Sequence, residues 1–131
     1  MDLLDLKNEF VPRITTGFTG GVGRGGSVCG AFVGAILGIG MKSGRGQGND
    51  QESLQESLSL SKQVLDKFLT EYGSEKCVDI TGFLLNDPDQ YQKYLETGGK
   101  NRCIELVREI TLFTARLLAE NFPGLVATRP T

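Results

Sequence analysis

The segment from Gly17 to Gly40 constrains the fold more than any other part of the chain, because it contains ten glycines. Glycine adopts left-handed backbone conformations that other residues avoid, and it lets neighbouring atoms approach the backbone closely. The first half of the segment therefore predicts a loop. The second half lies in an apolar run of 14 residues, from Val28 to Met41, whereas a membrane-spanning helix needs about 20. We expect a short helix of small residues and no membrane span.

Two linked GxxxG steps lie in this helix, at Gly30, Gly34 and Gly38. On a helix this spacing places small residues along one face, where another backbone can pack closely. We expect a buried helix that another helix of the chain crosses tightly. Packing between two subunits of a homodimer is an alternative use of the same face.

The remaining hydrophobic pattern is helical and contains no alternating strand. It predicts an all-α bundle of about five helices in a single domain, residues 1–131. A short first helix, ending before Pro12, is indicated by four apolar residues: Leu3, Leu4, Leu6 and Phe10. Ser27 is the expected N-cap of the small-residue helix.

An amphipathic helix comes next and should end at Gly73, a typical C-cap residue. Its apolar residues recur at helical spacing: Leu54, Leu58, Val64, Leu65, Phe68, Leu69 and Tyr72. Ser74 is the expected cap of a short helical turn that holds Cys77.

Two helices complete the chain. Asp87 as N-cap and Pro88 at the first helical position predict the start of one, which Gly98-Gly99 should end. The last helix should stop before Pro123 and carry one broad face: Cys103, Ile104, Val107, Ile110, Thr111, Thr114, Leu117 and Leu118.

The glycine loop partly matches two phosphate-binding motifs. Gly21 to Gly26 satisfies GxGxxG, but the dinucleotide fold needs a strand before this motif, and none is predicted. Gly20 to Ser27 fits GxxxxGK[ST] except that Gly26 replaces the lysine that contacts the phosphates. Arg24 could supply a positive charge, so anion or nucleotide binding at this loop is kept as an alternative.

Charge and histidine content exclude several classes of function. The 14 basic and 16 acidic residues give a net charge of −2, so no bulk field favours nucleic acid or anionic lipid. The chain has no histidine, which removes the commonest general base and histidine ligation of zinc or haem. No haem is expected, and a metal site would have to use cysteine, carboxylate or external ligands.

The three cysteines, Cys29, Cys77 and Cys103, are widely spaced and form no CxxC motif. The N-terminal residues are acidic and lack the basic region of a secretory signal. We therefore expect a reducing, cytoplasmic setting. There cysteines serve as thiols, transient disulfides or metal ligands.

Cys29 is the main candidate for a reactive thiol. With Ser27 as N-cap it would lie at the second helical position, where free N–H groups and the helix dipole favour a thiolate. Arg24 is near enough in sequence to add positive potential. The alternative is that Cys29 is a small apolar residue at a crowded helix crossing.

Cys77 and Cys103 also lie beside basic residues. Lys76 could favour a thiolate at Cys77, and we expect Cys103 to start the last helix beside Lys100 and Arg102. Because helix starts are frequent, a purely structural role for each of these cysteines stays open.

The motif CGAxxG from Cys29 to Gly34, preceded by GFxGGxGR from Gly17 to Arg24, resembles the C_GCAxxG_C_C family. This is a family of small proteins described as redox-active, distantly similar to the split-Soret cytochromes but here without the haem motif. Cys77 and Cys103 are similar to the later cysteines of the family pattern. The resemblance covers Arg13 to Leu118, most of the chain.

The resemblance implies one redox site formed by three residues: Cys29, Cys77 and Cys103. It also implies cofactor contacts from the glycine motif: Gly23, Arg24, Gly30 and Gly34. Such a site could perform thiol exchange, with Cys29 attacking and a later cysteine resolving. Alternatively, the three thiolates would hold an iron–sulfur cluster or other metal, with a fourth ligand from a carboxylate, a small molecule or a second subunit.

The family pattern has four cysteines, and by this alignment the first would fall before Met1. The first cysteine-bearing helix of the family is therefore expected to be truncated or absent in this chain. The leading hypothesis is a redox-active protein with a redox partner protein. The competing hypothesis is a non-catalytic interaction module that lost redox competence with the missing cysteine.

Overall fold

The structure, a computed structural model, describes residues 9–125. This range contains six α-helices and no β-strand, which confirms the all-α prediction. The helices are α1 (Val11–Thr15), α2 (Gly30–Ser43), α3 (Gln51–Tyr72), α4 (Cys77–Thr81), α5 (Pro88–Glu96) and α6 (Gly99–Asn121). Short 3-10 turns cover Thr16–Phe18 and Pro123–Leu125. Within the same range, no helix combines the length and apolarity needed to cross a membrane.

The predicted end of α3 and the predicted start of α5 are confirmed by their capping residues. Gly73 ends α3 in the left-handed conformation, with φ of 74°. At the start of α5, the Asp87 carboxylate accepts hydrogen bonds from the N–H groups of Asp89 and Gln90, at 2.9 and 3.1 Å. Pro88 takes the first helical position, where its missing N–H leaves no bond unmade.

Three other predicted boundaries have different outcomes. Helix α1 begins at Val11 and includes Pro12 in its first turn, and the helix predicted before Pro12 depends on Leu3, Leu4 and Leu6, which lie outside the described residues. Ser74 bonds to Lys76 N–H and to Asp79, and its side chain does not cap α4, so that prediction is wrong. The predicted end of α5 is confirmed, because Gly98 follows the C-cap residue Thr97 in the left-handed conformation, with φ of 76°, and Gly99 begins α6.

The main core forms where α2, α3 and α6 pack together. Phe68 and Val64 of α3 and Ile39 of α2 are fully buried. The Phe68 ring meets Phe32 and Tyr72 edge-on, with ring centroids 5.2 and 5.3 Å apart. Aromatic pairs of this kind add about 0.5–1.5 kcal/mol each beyond burial, so Phe68 is the centre of this core.

Helices α2 and α6 run in the same direction. Near their amino ends, Gly30 and Cys103 line the same cavity, and near their carboxyl ends Lys42 Nζ lies 5.2 Å from the centre of the Phe122 ring. The amino ends of both helices therefore point to one end of the molecule. At that end α4 and α5 form a smaller buried cluster with Cys77, Leu85 and Tyr94.

The apolar faces of α3 and α6 are narrower than predicted. Four residues expected to be buried are 44% to 54% exposed: Leu58, Leu69, Ile104 and Val107. The buried stripe of α3 instead runs through Leu60, Val64 and Phe68. Both helices pack mainly against α2. Each of them therefore buries one row of residues, and its other apolar residues stay exposed.

The glycine stripe of α2 is open rather than crossed by another helix. No atom lies within 4 Å of the place where a β-carbon would stand at Gly34 or Gly38. The helix packs instead through Ala35, Ile39 and Ser43, which are buried. The predicted tight crossing at the glycines is therefore wrong for the described residues, because the contact lies on an adjoining face of the helix.

Phe68→Ala should lower the free energy of unfolding by about 3–5 kcal/mol, because it opens a cavity where three aromatic rings meet. Leu58→Ala, on the exposed side of the same helix, should change it by about 0.5 kcal/mol or less. Urea unfolding followed by circular dichroism measures both values. Similar losses for the two variants would contradict the assignment of the core.

Candidate functional site

The side chains of Cys29, Cys77 and Cys103 line one cavity of about 470 Å³. The glycine loop, α2, α4, α5 and α6 all contribute to its wall. Cys77 is buried, at 8% exposed, while Cys29 and Cys103 are half-buried. All three are free thiols. The fold thus brings together residues that are far apart in sequence, and their chemical role stays a prediction.

A short backbone contact joins the segment that contains Cys29 to the segment that contains Cys77. The N–H of Cys29 donates to the carbonyl of Glu75 at 2.8 Å, and the N–H of Cys77 donates to the carbonyl of Ser27 at 2.7 Å. Between them, Val28 and Lys76 form an isolated antiparallel bridge. The amino end of α4 is therefore attached to the residues that precede α2.

This contact also moves the start of α2. The helix begins at Gly30, and Cys29 rather than the predicted Ser27 is its N-cap residue. The bridge keeps the backbone extended through Cys29, with φ of −62° and ψ of 131°. The Cys29 carbonyl accepts the N–H of Val33 at 3.1 Å. Its thiol lies at the amino end of a 14-residue helix, as a residue before the first turn instead of within it.

Cys103 does not start the last helix, as was predicted from Lys100 and Arg102. It is the fifth residue of α6, because the helix begins earlier, at Gly99. From this position it packs against the small cluster of Cys77, Leu85 and Tyr94.

The backbone N–H groups of the glycine loop form hydrogen bonds within the loop itself. Every N–H from Gly21 to Ser27 donates to a carbonyl between Gly17 and Val22, at 2.8 to 3.2 Å. A phosphate-binding loop offers these groups to its ligand. With no strand in residues 9–125, the dinucleotide fold is excluded. The alternative of anion binding at this loop also loses its backbone donors.

Six residues of this loop have left-handed backbone conformations: Gly20, Gly21, Val22, Gly23, Arg24 and Gly26. For Val22 and Arg24, with φ of 63° and 61°, such a conformation costs about 1–3 kcal/mol each. The internal hydrogen bonds hold these residues in place.

Gly21 is where the loop touches the thiol site. A β-carbon there would lie 2.6 Å from the β-carbon of Cys77 and 2.6 Å from the carbonyl oxygen of Ser27. Its φ of 79° is also unfavourable for any other residue. Gly21 is therefore required both for the turn and for the close approach to Cys77.

Positive charge surrounds the cavity. Arg24 and Lys100 line it, and no carboxylate does so among the described residues. The guanidinium carbon of Arg24 lies 4.8 Å from the centre of the Tyr91 ring, a cation–π distance that ties the loop to α5. The charged side chains that line the cavity are therefore positive.

The pKa of the Cys77 thiol is raised by its surroundings. Burial raises the pKa of Cys77 above its ordinary value of 9.0, and the neighbouring Cys29 and Cys103 raise it further, in that order. A hydrogen bond with Thr81 opposes the shift. Cys77 is therefore a neutral thiol near pH 7, which corrects the expectation that Lys76 would favour its thiolate.

Two tyrosines near the thiols were not found from the sequence. Burial, followed by the interaction with Cys103, raises the pKa of Tyr94, which lines the cavity. Burial also raises the pKa of Tyr72, as does the hydrogen bond of 2.6 Å that its hydroxyl donates to Glu109. Both hydroxyls stay protonated at neutral pH. The spacing of Tyr91 and Tyr94 on one face of α5 was the only local signal.

The four residues expected to contact a cofactor do not all lie at the same site. Arg24 and Gly30 line the cysteine cavity, Gly34 lines a neighbouring groove, and Gly23 does not line the cavity. As to a metal, no three histidine, cysteine or acidic side chains within residues 9–125 form a group that could hold an ion.

Comparison with known proteins gives a family match over most of the chain. A family model described as "Putative redox-active protein (C_GCAxxG_C_C)" matches residues 1–117. The match includes all three cysteines and the glycine loop. No curated protein and no solved structure matches the chain.

Gly21→Ala should destabilise the protein more than Gly23→Ala. Both residues have positive φ, which costs about 1–2 kcal/mol for alanine, but only Gly21 has neighbours where the new methyl would stand. The overlap with Cys77 and Ser27 should add about 1–3 kcal/mol. Urea unfolding of the two variants measures the difference, and equal losses would contradict the close contact.

Cys77→Ala should flatten the loss of stability at alkaline pH. Because the pKa of Cys77 is raised in the folded state, the unfolded chain releases this proton first, and stability falls as the pH rises above the unfolded pKa of about 8.5. Melting temperatures across that range give the slope. Leu85→Ala, in the same buried cluster, loses volume but no titrating group and should keep the wild-type slope. A wild-type slope in Cys77→Ala would contradict the burial of this thiol.

Proposed function

Because the chain belongs to the C_GCAxxG_C_C family, we propose that it is a redox-active protein that exchanges thiols and disulfides through Cys29, Cys77 and Cys103. The observation that carries this proposal is the cavity that all three side chains line. The family match and the cavity involve the same three cysteines.

Cys29 is the attacking thiol in this proposal. It is half-buried and therefore reachable, and it lies at the amino end of α2. The positive end of a helix dipole favours a thiolate there. Arg24 and Lys100 in the cavity wall add positive charge. Cys77 lacks these advantages for the first attack, because it is buried and its pKa is raised.

Cys77 is the resolving thiol in this proposal. The backbone contact joins its segment to the segment that contains Cys29, and Cys29 influences the pKa of Cys77 more than Cys103 does. A buried, neutral thiol is protected from reagents in solution, and the proposal requires that its sulfur reach a disulfide formed at Cys29. Cys103, further along the cavity wall, is the alternative resolving residue.

The proposed substrate is a disulfide of a partner protein. The Cys29 thiolate attacks one partner sulfur, and the other partner sulfur leaves as a thiolate and takes up a proton. Cys77 then loses its proton to solvent, and its sulfur attacks Cys29 and displaces the remaining partner thiol. The partner gains two electrons as two thiols, and the protein ends with a disulfide. Return of the protein disulfide to two thiols needs two electrons from a second dithiol reductant, which a reducing compartment such as the cytoplasm supplies.

Mutation of single cysteines tests the order of attack. With 5,5′-dithiobis(2-nitrobenzoate) as the disulfide, Cys29→Ser should release thionitrobenzoate about tenfold more slowly than wild type, or slower still. Cys77→Ser should react at the wild-type initial rate but stop at a mixed disulfide on Cys29, identified by intact mass. Cys103→Ser should complete the reaction.

Two results would change or end this assignment. If Cys103→Ser stops at the mixed disulfide and Cys77→Ser does not, Cys103 is the resolving residue. If Cys29→Ser reacts like wild type, thiol exchange through Cys29 is wrong, and the interaction-module hypothesis becomes the better one.

Metal or cluster ligation is the alternative chemistry for the same cysteines. Anaerobic purification followed by a visible spectrum and by analysis for iron and zinc tests it directly. We expect a colourless protein without stoichiometric metal, because the described cysteines and carboxylates form no group that could hold an ion. Cluster absorption that is lost in Cys29→Ser would replace thiol exchange by ligation.

A further inference from the structure

Two cations line the cysteine cavity without a counter-charge. Arg24 comes from the glycine loop and Lys100 from the first turn of α6, and both residues are exposed, so a molecule in solution can reach them. The three ion pairs among residues 9–125 join other side chains. No carboxylate of the described chain therefore offsets either charge by an ion pair.

The glycine loop fixes the place of Arg24. Its N–H donates to the carbonyl of Thr19 at 2.8 Å, and a β-carbon at Gly20 would lie 2.7 Å from the γ-carbon of Arg24, so the loop packs against the start of the side chain. The guanidinium lies on the Tyr91 ring. Such stacking uses the face of the group and leaves the N–H donors at its edge available to a ligand.

Neither cation occupies a position that favours the stability of the fold. The left-handed backbone of Arg24, with φ of 61°, costs free energy for a residue other than glycine. Lys100 is the second residue of α6, where the positive end of the helix dipole repels a cation. Residues placed at such a cost are found preferentially at functional sites. The two positions therefore indicate a role in binding.

We propose that Arg24 and Lys100 select the partner protein, because the disulfide that Cys29 attacks is flanked there by a carboxylate side chain. This inference rests on the proposed thiol exchange and adds which disulfides are attacked. An aspartate or glutamate beside the disulfide would meet both cations as the disulfide enters the cavity. Opposite charges across an interface speed and orient the encounter, whereas a basic residue there would be repelled.

The surroundings of the cavity favour a protein over a small free disulfide. Val107 lines the cavity and is 50% exposed. Ile104, which follows Cys103 in α6, is 54% exposed, and Val22 of the glycine loop is 47% exposed. A protein partner would cover these apolar side chains, which is favourable, whereas a small molecule inside the cavity would leave them in water.

Initial rates with three small disulfides test the inference. These are 5,5′-dithiobis(2-nitrobenzoate), which is anionic, 2,2′-dithiodipyridine, which is neutral, and cystamine, which is cationic. The measured quantity is the ratio of each charged rate to the neutral rate. A change in the nucleophilicity of Cys29 alters all three rates, so the ratio reports the recognition of charge.

Arg24→Gln and Lys100→Gln should each lower the anionic-to-neutral ratio about 2- to 5-fold, the strength of one exposed charge pair. Both variants should raise the cationic-to-neutral ratio. Arg24→Lys keeps the charge and should keep most of the anionic preference. High salt should lower the anionic-to-neutral ratio of the wild-type protein, because it screens exposed charges.

Lys93→Gln is the matched control. It also removes one positive charge from an exposed residue, but Lys93 belongs to α5 and does not line the cavity. Its ratios should equal those of the wild-type protein.

Two synthetic peptides extend the test to a protein-like substrate. Each carries one intramolecular disulfide, and they differ only in having glutamate or glutamine beside both cysteines. After division by the rates with dithiothreitol, the reduced wild-type protein should favour the glutamate peptide by about 2- to 5-fold. Arg24→Gln should reduce the two peptides at similar relative rates. Chromatography of quenched samples measures the rates.

Three outcomes would overturn the inference. Unchanged anionic ratios in both Arg24→Gln and Lys100→Gln, or an equal fall in Lys93→Gln, would end it and leave the thiol exchange intact. Selectivity among the small disulfides but not between the peptides would assign the cations to a small anionic disulfide. If Cys29→Ser reacts with 2,2′-dithiodipyridine like wild type, the thiol exchange is wrong and so is the inference that rests on it.

Discussion

The short antiparallel contact between residues 26–29 and 75–78 is the constraint on which the rest of the site depends. Three backbone hydrogen bonds of 2.7, 2.8 and 3.2 Å join these segments, which α2 and α3 separate along the chain. Backbone bonds of this kind hold position without any requirement on side chains, apart from glycine where the chains come closest. The contact decides where α2 begins, and it joins the segments that contain Cys29 and Cys77.

The sequence was sufficient for features that depend on local chemistry. Asp87 and Pro88 mark the start of α5, and Gly73 marks the end of α3, because caps act within one helical turn. The start of α2 could not be predicted in this way. It is set by hydrogen bonds to Glu75 and Cys77, residues that no local pattern connects with Cys29.

The candidate site was predictable only in part for a similar reason. The convergence of the three cysteines came from the family resemblance, since their spacing alone does not bring them together. The protonation of Cys77 was misjudged because Lys76 is its neighbour in sequence, whereas burial dominates in space. The GxxxG steps indicate that Gly34 and Gly38 permit close contact, but they do not say what makes it. In the described chain that face is left open.

The hydrogen-bonded glycine loop shows that a sequence motif alone does not determine which ligand a loop can bind. The backbone of its GxGxxG motif is bonded to itself, because each N–H from Gly21 to Ser27 donates to a carbonyl of the same loop. Replacing Gly26 with the lysine of a nucleotide-hydrolysing loop would not create such an enzyme. The new side chain would collide with Val78, and the phosphates would still meet an outer surface without free amides. This loop therefore stabilises the protein's own structure, although its sequence matches that of a phosphate-binding loop.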